Sequence, residues 1–127
     1  MKALRVLIVE DDPMLGLLFT EMFEAMGHVV CAIETSETEA VASAARFNPD
    51  LMIVDAHLET GNGVCAVEQI LQTGFIPHIF ITGNVAKLGA LGPAAVVLEK
   101  PFTEAGLTRA IEQALDANAA PCAQIVG

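Results

Sequence analysis

Cationic side chains are scarce in this sequence: 6 Lys and Arg stand against 16 Asp and Glu, a formal net charge of −10. A chain of that sign repels phosphate, which argues against direct nucleic-acid binding by this chain alone. The same acidic surface favours a soluble monomer. Cysteine is sparse too, with Cys31, Cys65 and Cys122 odd in number and far apart. Neither a disulfide framework nor a zinc site follows from that spacing. His28, His57 and His78 also lack ligand spacing and read as strand-end or loop residues. Long apolar runs are missing. Val6-Leu7-Ile8-Val9 is cut off by Glu10-Asp11-Asp12, too short for a signal peptide and far below the ~20 residues of a membrane span. These absences place the protein in the cytoplasm with no membrane partner.

What is present is apolar: 54% of 127 residues, enough for one domain with its own core. Leu51-Met52-Ile53-Val54 ends abruptly in Asp55 and is flanked by Asn48-Pro49 and Gly61-Asn62-Gly63, the pattern of a strand buried on both faces. Similar runs at residues 4–9, 28–33, 77–83 and 94–98 predict four more strands. Asp12-Pro13 fits a helix N-cap followed by Pro at the first position, opening a helix to Met26 that stops at Gly27. Its core stripe is Leu15, Leu18, Phe19, Met22, Phe23 and Met26, leaving Met14 and Leu17 outside. Ser36-Glu37-Thr38-Glu39 is a capping box for a helix to Phe47. A third helix covers residues 64–73, with Val67, Ile70 and Leu71 inward. A short fourth is predicted over 84–91, bounded by Gly83, Gly89 and Gly92-Pro93. The last starts at Thr103, with Phe102 and Leu107 placed for a hydrophobic staple, and buries Leu107, Ala110, Ile111, Ala114 and Leu115. Residues 1–117 form the domain, and the rest is expected to be a loosely ordered tail.

Strands alternating with helices argue for a parallel sheet covered on both faces. Asp11, Asp12, Asp55, Thr82 and Lys100 then stand at the carboxyl ends of four different strands, the edge where open α/β sheets bind ligands. From its own run, Asp55 reads equally as a turn cap. Three successive acids repel one another and raise their own pKa values unless a cation sits among them. Acids with a backbone carbonyl suit magnesium, and a lysine and a hydroxyl supply the charge stabilisation and positioning of phosphoryl transfer. An aspartate can accept the phosphoryl group as an acyl phosphate.

Glu10-Asp11-Asp12, Asp55 with Leu58 and Gly63, Thr82-Gly83 and Lys100-Pro101-Phe102 resemble the motifs of the bacterial response regulator receiver domain, a likeness covering residues 4–116. The resemblance implies a flavodoxin-like (βα)5 three-layer sandwich with a five-stranded parallel sheet in order 2-1-3-4-5. It implies phosphorylation of Asp55 by a histidine kinase or phosphotransfer protein. Asp11, Asp12, Asp55 and the main-chain carbonyl of His57 would hold Mg2+. Thr82 would bond a phosphoryl oxygen, Lys100 would pair with the phosphoryl group, and the Lys100-Pro101 bond would be cis. The family often has proline where Glu59 stands, which predicts a more mobile loop after Asp55. It usually has Tyr or Phe where this chain has Val97, so the switch position beside Thr82 lacks its aromatic. Phe80-Ile81-Thr82-Gly83 partly resembles a single-domain subgroup with a Phe-Ala-Thr-Gly motif, from which Ile81 and Asn84 depart.

The leading expectation is a stand-alone phosphoryl-accepting switch, with no output domain after Leu115 and no enzymatic activity other than its own dephosphorylation. Phosphorylation would bias residues 83–93 between two arrangements, the output being an unidentified downstream protein or a phosphate relay, and Met14 and Leu17 would form the kinase-docking face. A magnesium-dependent aspartyl phosphatase is one alternative, but position 57, where its second acid belongs, is His. A receiver-like module that is never phosphorylated is the other.

Overall fold

Four apolar strands sit at the centre of the molecule because their side chains are apolar on both faces. These are β1 (Arg5–Val9), β3 (Leu51–Asp55), β4 (His78–Thr82) and β5 (Val96–Glu99). Every residue of β3 and β4 is buried. β2 (Val29–Glu34) is half-exposed and lies at the edge. The computed structural model describes residues 2–116 and 124–126. All strands pair in parallel, in the order β2-β1-β3-β4-β5 expected, with Val6 opposite Leu51, Met52 opposite His78 and Ile79 opposite Val96.

The two-residue period of the strands divides the core into two layers. Val6, Ile8, Ile53, Ile79 and Leu98 pack against α1 (Pro13–Ala25) and α4 (Glu104–Asp116) through Phe19, Phe23, Leu107 and Ile111. Leu7, Val9, Val54, Phe80 and Val97 pack against α2 (Glu37–Phe47) and α3 (Gly63–Leu71) through Ala40, Ala44, Val67 and Ile70. The predicted start signals hold. Asp12 accepts from Met14 N at 3.0 Å, Ser36 Oγ from Glu39 N at 3.2 Å, and Thr103 Oγ1 from Gly106 N at 2.9 Å. Phe102 joins the same core layer as Leu107 and stacks on Phe19 with centroids 5.2 Å apart.

Four expectations need correction. The helix predicted over 84–91 is a single 3-10 turn, Val85–Lys87, capped by the Asn84 side chain. Gly89 takes a φ of +71°, which ends any helix there, so among the described residues four α-helices cover the sheet. Within the stretch expected to be a loose tail, Gln124–Val126 forms β6, parallel to β5 with Val97 opposite Ile125. It pairs the edge of β5 that a five-stranded sheet would leave open. The rest of that stretch, Cys122 included, lies outside the described residues, as does the boundary at 117. Leu18 is 44% exposed rather than part of the stripe on α1. α1 turns Gly16, Phe19 and Phe23 to the sheet, which leaves Leu18 outward. Leu115, at the end of α4, is likewise 44% exposed.

Met14 and Leu17 are exposed as expected, and Cys31 and Cys65 are free thiols. Among the described residues no helix is long and apolar enough to cross a membrane.

Candidate functional site

Asp55 is the last residue of β3 and is buried at the carboxyl edge of the sheet. Its Oδ1 accepts from His57 N at 2.9 Å, while Oδ2 lies 3.5 Å from Lys100 Nζ. Lys100 follows β5 and precedes a cis peptide bond to Pro101, as expected. Its own N–H donates to the Thr82 carbonyl at 2.7 Å, which ties the ends of β4 and β5 together. The Thr82 side chain is buried. Its Oγ1 accepts from Asn84 N at 3.1 Å and donates to Asn84 O at 3.3 Å.

The carboxylates at the end of β1 separate into two roles. Glu10, Asp11 and Asp55 each bring one oxygen within 4.8 Å of the others. Asp12, assigned to the metal from sequence, is exposed and caps α1, whereas Glu10 is in the cluster. The signal for Glu10 was present: it directly continues the buried β1, and the Asp12-Pro13 cap already accounted for Asp12. Glu10 is buried, with one carboxylate oxygen accepting from Asp12 N at 3.0 Å and Oε1 left without a partner. Burial pushes its carboxyl up to about 7, and the negative charge of Asp55 adds to this. The Asp12 N–H and the Lys100 charge oppose it.

An orphaned carboxylate oxygen beside two further acids fits a hard, oxygen-seeking divalent cation. The raised Glu10 carboxyl has a measurable consequence. Its folded value of about 7 exceeds the ordinary 4.5, so the folded state holds the proton more tightly. Without a divalent cation, that contribution to stability falls as pH rises from 4.5 to about 7. Glu10→Gln, which mimics the protonated acid, is therefore expected to melt several degrees above wild type at pH 8 and level with it below pH 5, both in EDTA. Excess Mg2+ is expected to narrow the gap by raising the wild-type Tm. Equal melting at both pH values in EDTA would overturn the assignment.

The loop after β3 has Glu59 where the family often has proline, and side chains hold it. Asp11 Oδ2 accepts from Glu59 N at 2.6 Å. Glu37, at the start of α2, accepts from Asn62 N at 2.9 Å and from Gln69 Nε2 at 2.7 Å, and its own N–H donates to Thr60 O at 3.2 Å. Sequence reasoning had no signal for Glu37 beyond its place inside a capping box. Gly63 opens α3 against Asp55 so closely that a Cβ there would stand 2.0 Å from the Asp55 carbonyl oxygen.

Val97 is buried and stands opposite Phe80 on β4 and Ile125 on β6 in the strand register, so the switch position is filled by a core side chain. Met14 and Leu17 line one open depression with Asp12 and Lys100, which places both apolar residues on the Lys100 side of the site. The sites read from sequence thus converge, with Glu10 added and Asp12 turned to the helix.

A doubly covered parallel sheet presenting acids after its first and third strands, a threonine after the fourth and a lysine after the fifth defines a receiver-type domain. The chain matches the response regulator receiver domain over residues 6–112 and belongs to that family. It is 34% identical over 117 residues to the phyllosphere-induced regulator PhyR of Methylorubrum extorquens, covering 89% of this chain and 44% of that protein. Among solved structures it is similar to the anti-anti-sigma factor PhyR from Bartonella quintana, with a TM-score of 0.80 and 32% identity over 93% of this chain and 49% of the other. It is also similar to SdrG from Sphingomonas melonis Fr1, with a TM-score of 0.77 and 26% identity, covering 91% and 99% of the two chains. The chain spans about half the length of the curated relatives it matches.

Proposed function

We propose that the protein is a phosphoryl-accepting switch of a two-component or phosphorelay system, acting in the cytoplasm through protein contacts. The observation that carries this reading is Asp55, with one oxygen fixed by the His57 N–H and the other facing Lys100 beside the acidic cluster.

Asp11 and Asp55, the carbonyl of His57, and Glu10 in the place first given to Asp12 would hold Mg2+, which supplies positive charge for an anionic group entering an acidic site. Asp55 Oδ2 attacks phosphorus and forms the O–P bond of an acyl phosphate. The P–N bond to the donor histidine of a kinase or phosphotransfer protein breaks, and the imidazole leaves with its electron pair and takes up a proton. Lys100 Nζ pairs with the new negative charge. The Thr82 hydroxyl turns from Asn84 O to a phosphoryl oxygen, which frees the start of the 83–93 segment. Met14 and Leu17 offer the docking face beside Lys100.

Incubation with Mg2+ and a small phosphoryl donor is expected to add one phosphoryl mass to the intact chain, and none to Asp55→Asn. No gain from a small donor or from phosphorylated histidine kinases, with Mg2+ shown to bind, would favour a receiver-like binding module instead.

A further inference from the structure

Between α3, β4 and the loop at residues 90–94 lies a cavity of about 350 Å³, within the usual size range of small-molecule sites. Val67, Leu71, Phe75, Phe80 and Leu91 make its walls apolar. The space exists because no helix forms over 84–91, and apart from Leu91 the loop facing it consists of Ala90, Gly92, Pro93 and Ala94, too small to fill it.

Two polar side chains line this wall, Glu68, which is exposed, and His78, only 2% exposed. Its Nδ1–H donates to Ile76 O at 2.8 Å, which fixes the tautomer and leaves Nε2 as an acceptor. The ring meets Phe80 edge-on at 5.4 Å and Phe75 at 5.9 Å. Nε2 has no hydrogen-bond partner among the described residues. A ring nitrogen without a protein donor is free to accept a hydrogen bond from a molecule in the cavity. Burial also lowers the His78 pKa, which keeps the ring neutral and Nε2 able to accept.

We propose that this cavity binds a small, largely apolar molecule carrying one hydrogen-bond donor, with the donor bonded to His78 Nε2. Water is the competing occupant, and an ordered water needs about two to four polar partners, whereas the polar side chains here are the buried His78 and the exposed Glu68 in an otherwise apolar wall. Phosphoryl acceptance at Asp55 plays no part in the proposal.

The chain has no Trp and no Tyr, so the fluorescence of an aromatic probe is read against a dark protein. The full chain is titrated with 2-naphthol and with 2-methylnaphthalene, equal in shape but without a donor. Saturable binding of both is expected, with 2-naphthol about tenfold tighter. His78→Phe should equalise the two, and Ala94→Phe, which fills the cavity from the loop side, should abolish both. Circular dichroism confirms that each variant is folded. Absence of saturable 2-naphthol binding, equal affinity for the two probes in wild type, or an unchanged preference in folded His78→Phe would each overturn the proposal.

Discussion

Replacing Gly63 by alanine is expected to cost about 3–5 kcal/mol of stability, beyond the usual range for one added methyl because the obstruction is backbone. A Cβ at this position would lie 2.0 Å from the Asp55 carbonyl oxygen, 2.9 Å from its carbon and 2.8 Å from Val54 Cγ1. No rotamer change relieves contact with a carbonyl, so the start of α3 must move off the end of β3. The Gly63 N–H bond to Ala56 O, 3.1 Å long, would stretch with it. Against a typical total of about 5–15 kcal/mol, such a loss lowers Tm by roughly 10 °C or more. Gly83→Ala is the control, since a Cβ there meets nothing within 4 Å. Thermal melts of the two variants decide the matter, and a Gly63→Ala protein melting with wild type would show that the close approach is absent in solution.

Lys100→Ala is expected to slow phosphoryl acceptance by about a hundredfold while leaving the fold intact. Lys100 is the cation beside Asp55, in a site whose other charged side chains are Glu10 and Asp11. Without it the incoming group meets carboxylates alone, and Glu10 loses an influence that lowers its pKa. The side chain is 35% exposed, so its ion pair with Asp55 contributes little to stability. Lys100→Arg is not expected to restore the rate, because a planar guanidinium does not reproduce a compact ammonium. The rate of mass gain with Mg2+ and a small donor measures the effect, and wild-type labelling of Lys100→Ala would remove the residue from the mechanism.

The central strands and their terminal side chains were legible because each strand is a short apolar run that stops at a polar residue. Asp55 and Thr82 follow directly from that rule, and Lys100 stands one residue past Glu99, where the β5 run stops. Glu10 was harder, since three adjacent acids look alike in sequence and only the path of β1 into α1 tells them apart. Leu18 and Leu115 misled because a leucine at helical spacing is apolar whichever way the helix is turned. The turn of α1 puts Gly16, Phe19 and Phe23 on the sheet, a choice of face that the spacing of its leucines does not encode. The helix over 84–91 failed on its own glycines, and β6 is too short, at 3 residues, for any periodicity to announce it. Glu37 acts on the loop after Asp55 through pairings with residues 25 and 32 positions away, a separation that no local pattern encodes.

The 83–93 segment, with one 3-10 turn and no α-helix, limits what a phosphoryl group could accomplish by itself. Fixing a residue's backbone costs about 1–2 kcal/mol in conformational entropy, whereas a hydrogen bond to a charged oxygen contributes about 1.5–3 kcal/mol. Capture of the Thr82 hydroxyl would thus offset the ordering of only one to three residues. Winding the whole segment into a helix would require a second body to cover it. A downstream protein that reads the segment would supply that surface, and its affinity would be reduced by the remaining entropy it has to remove.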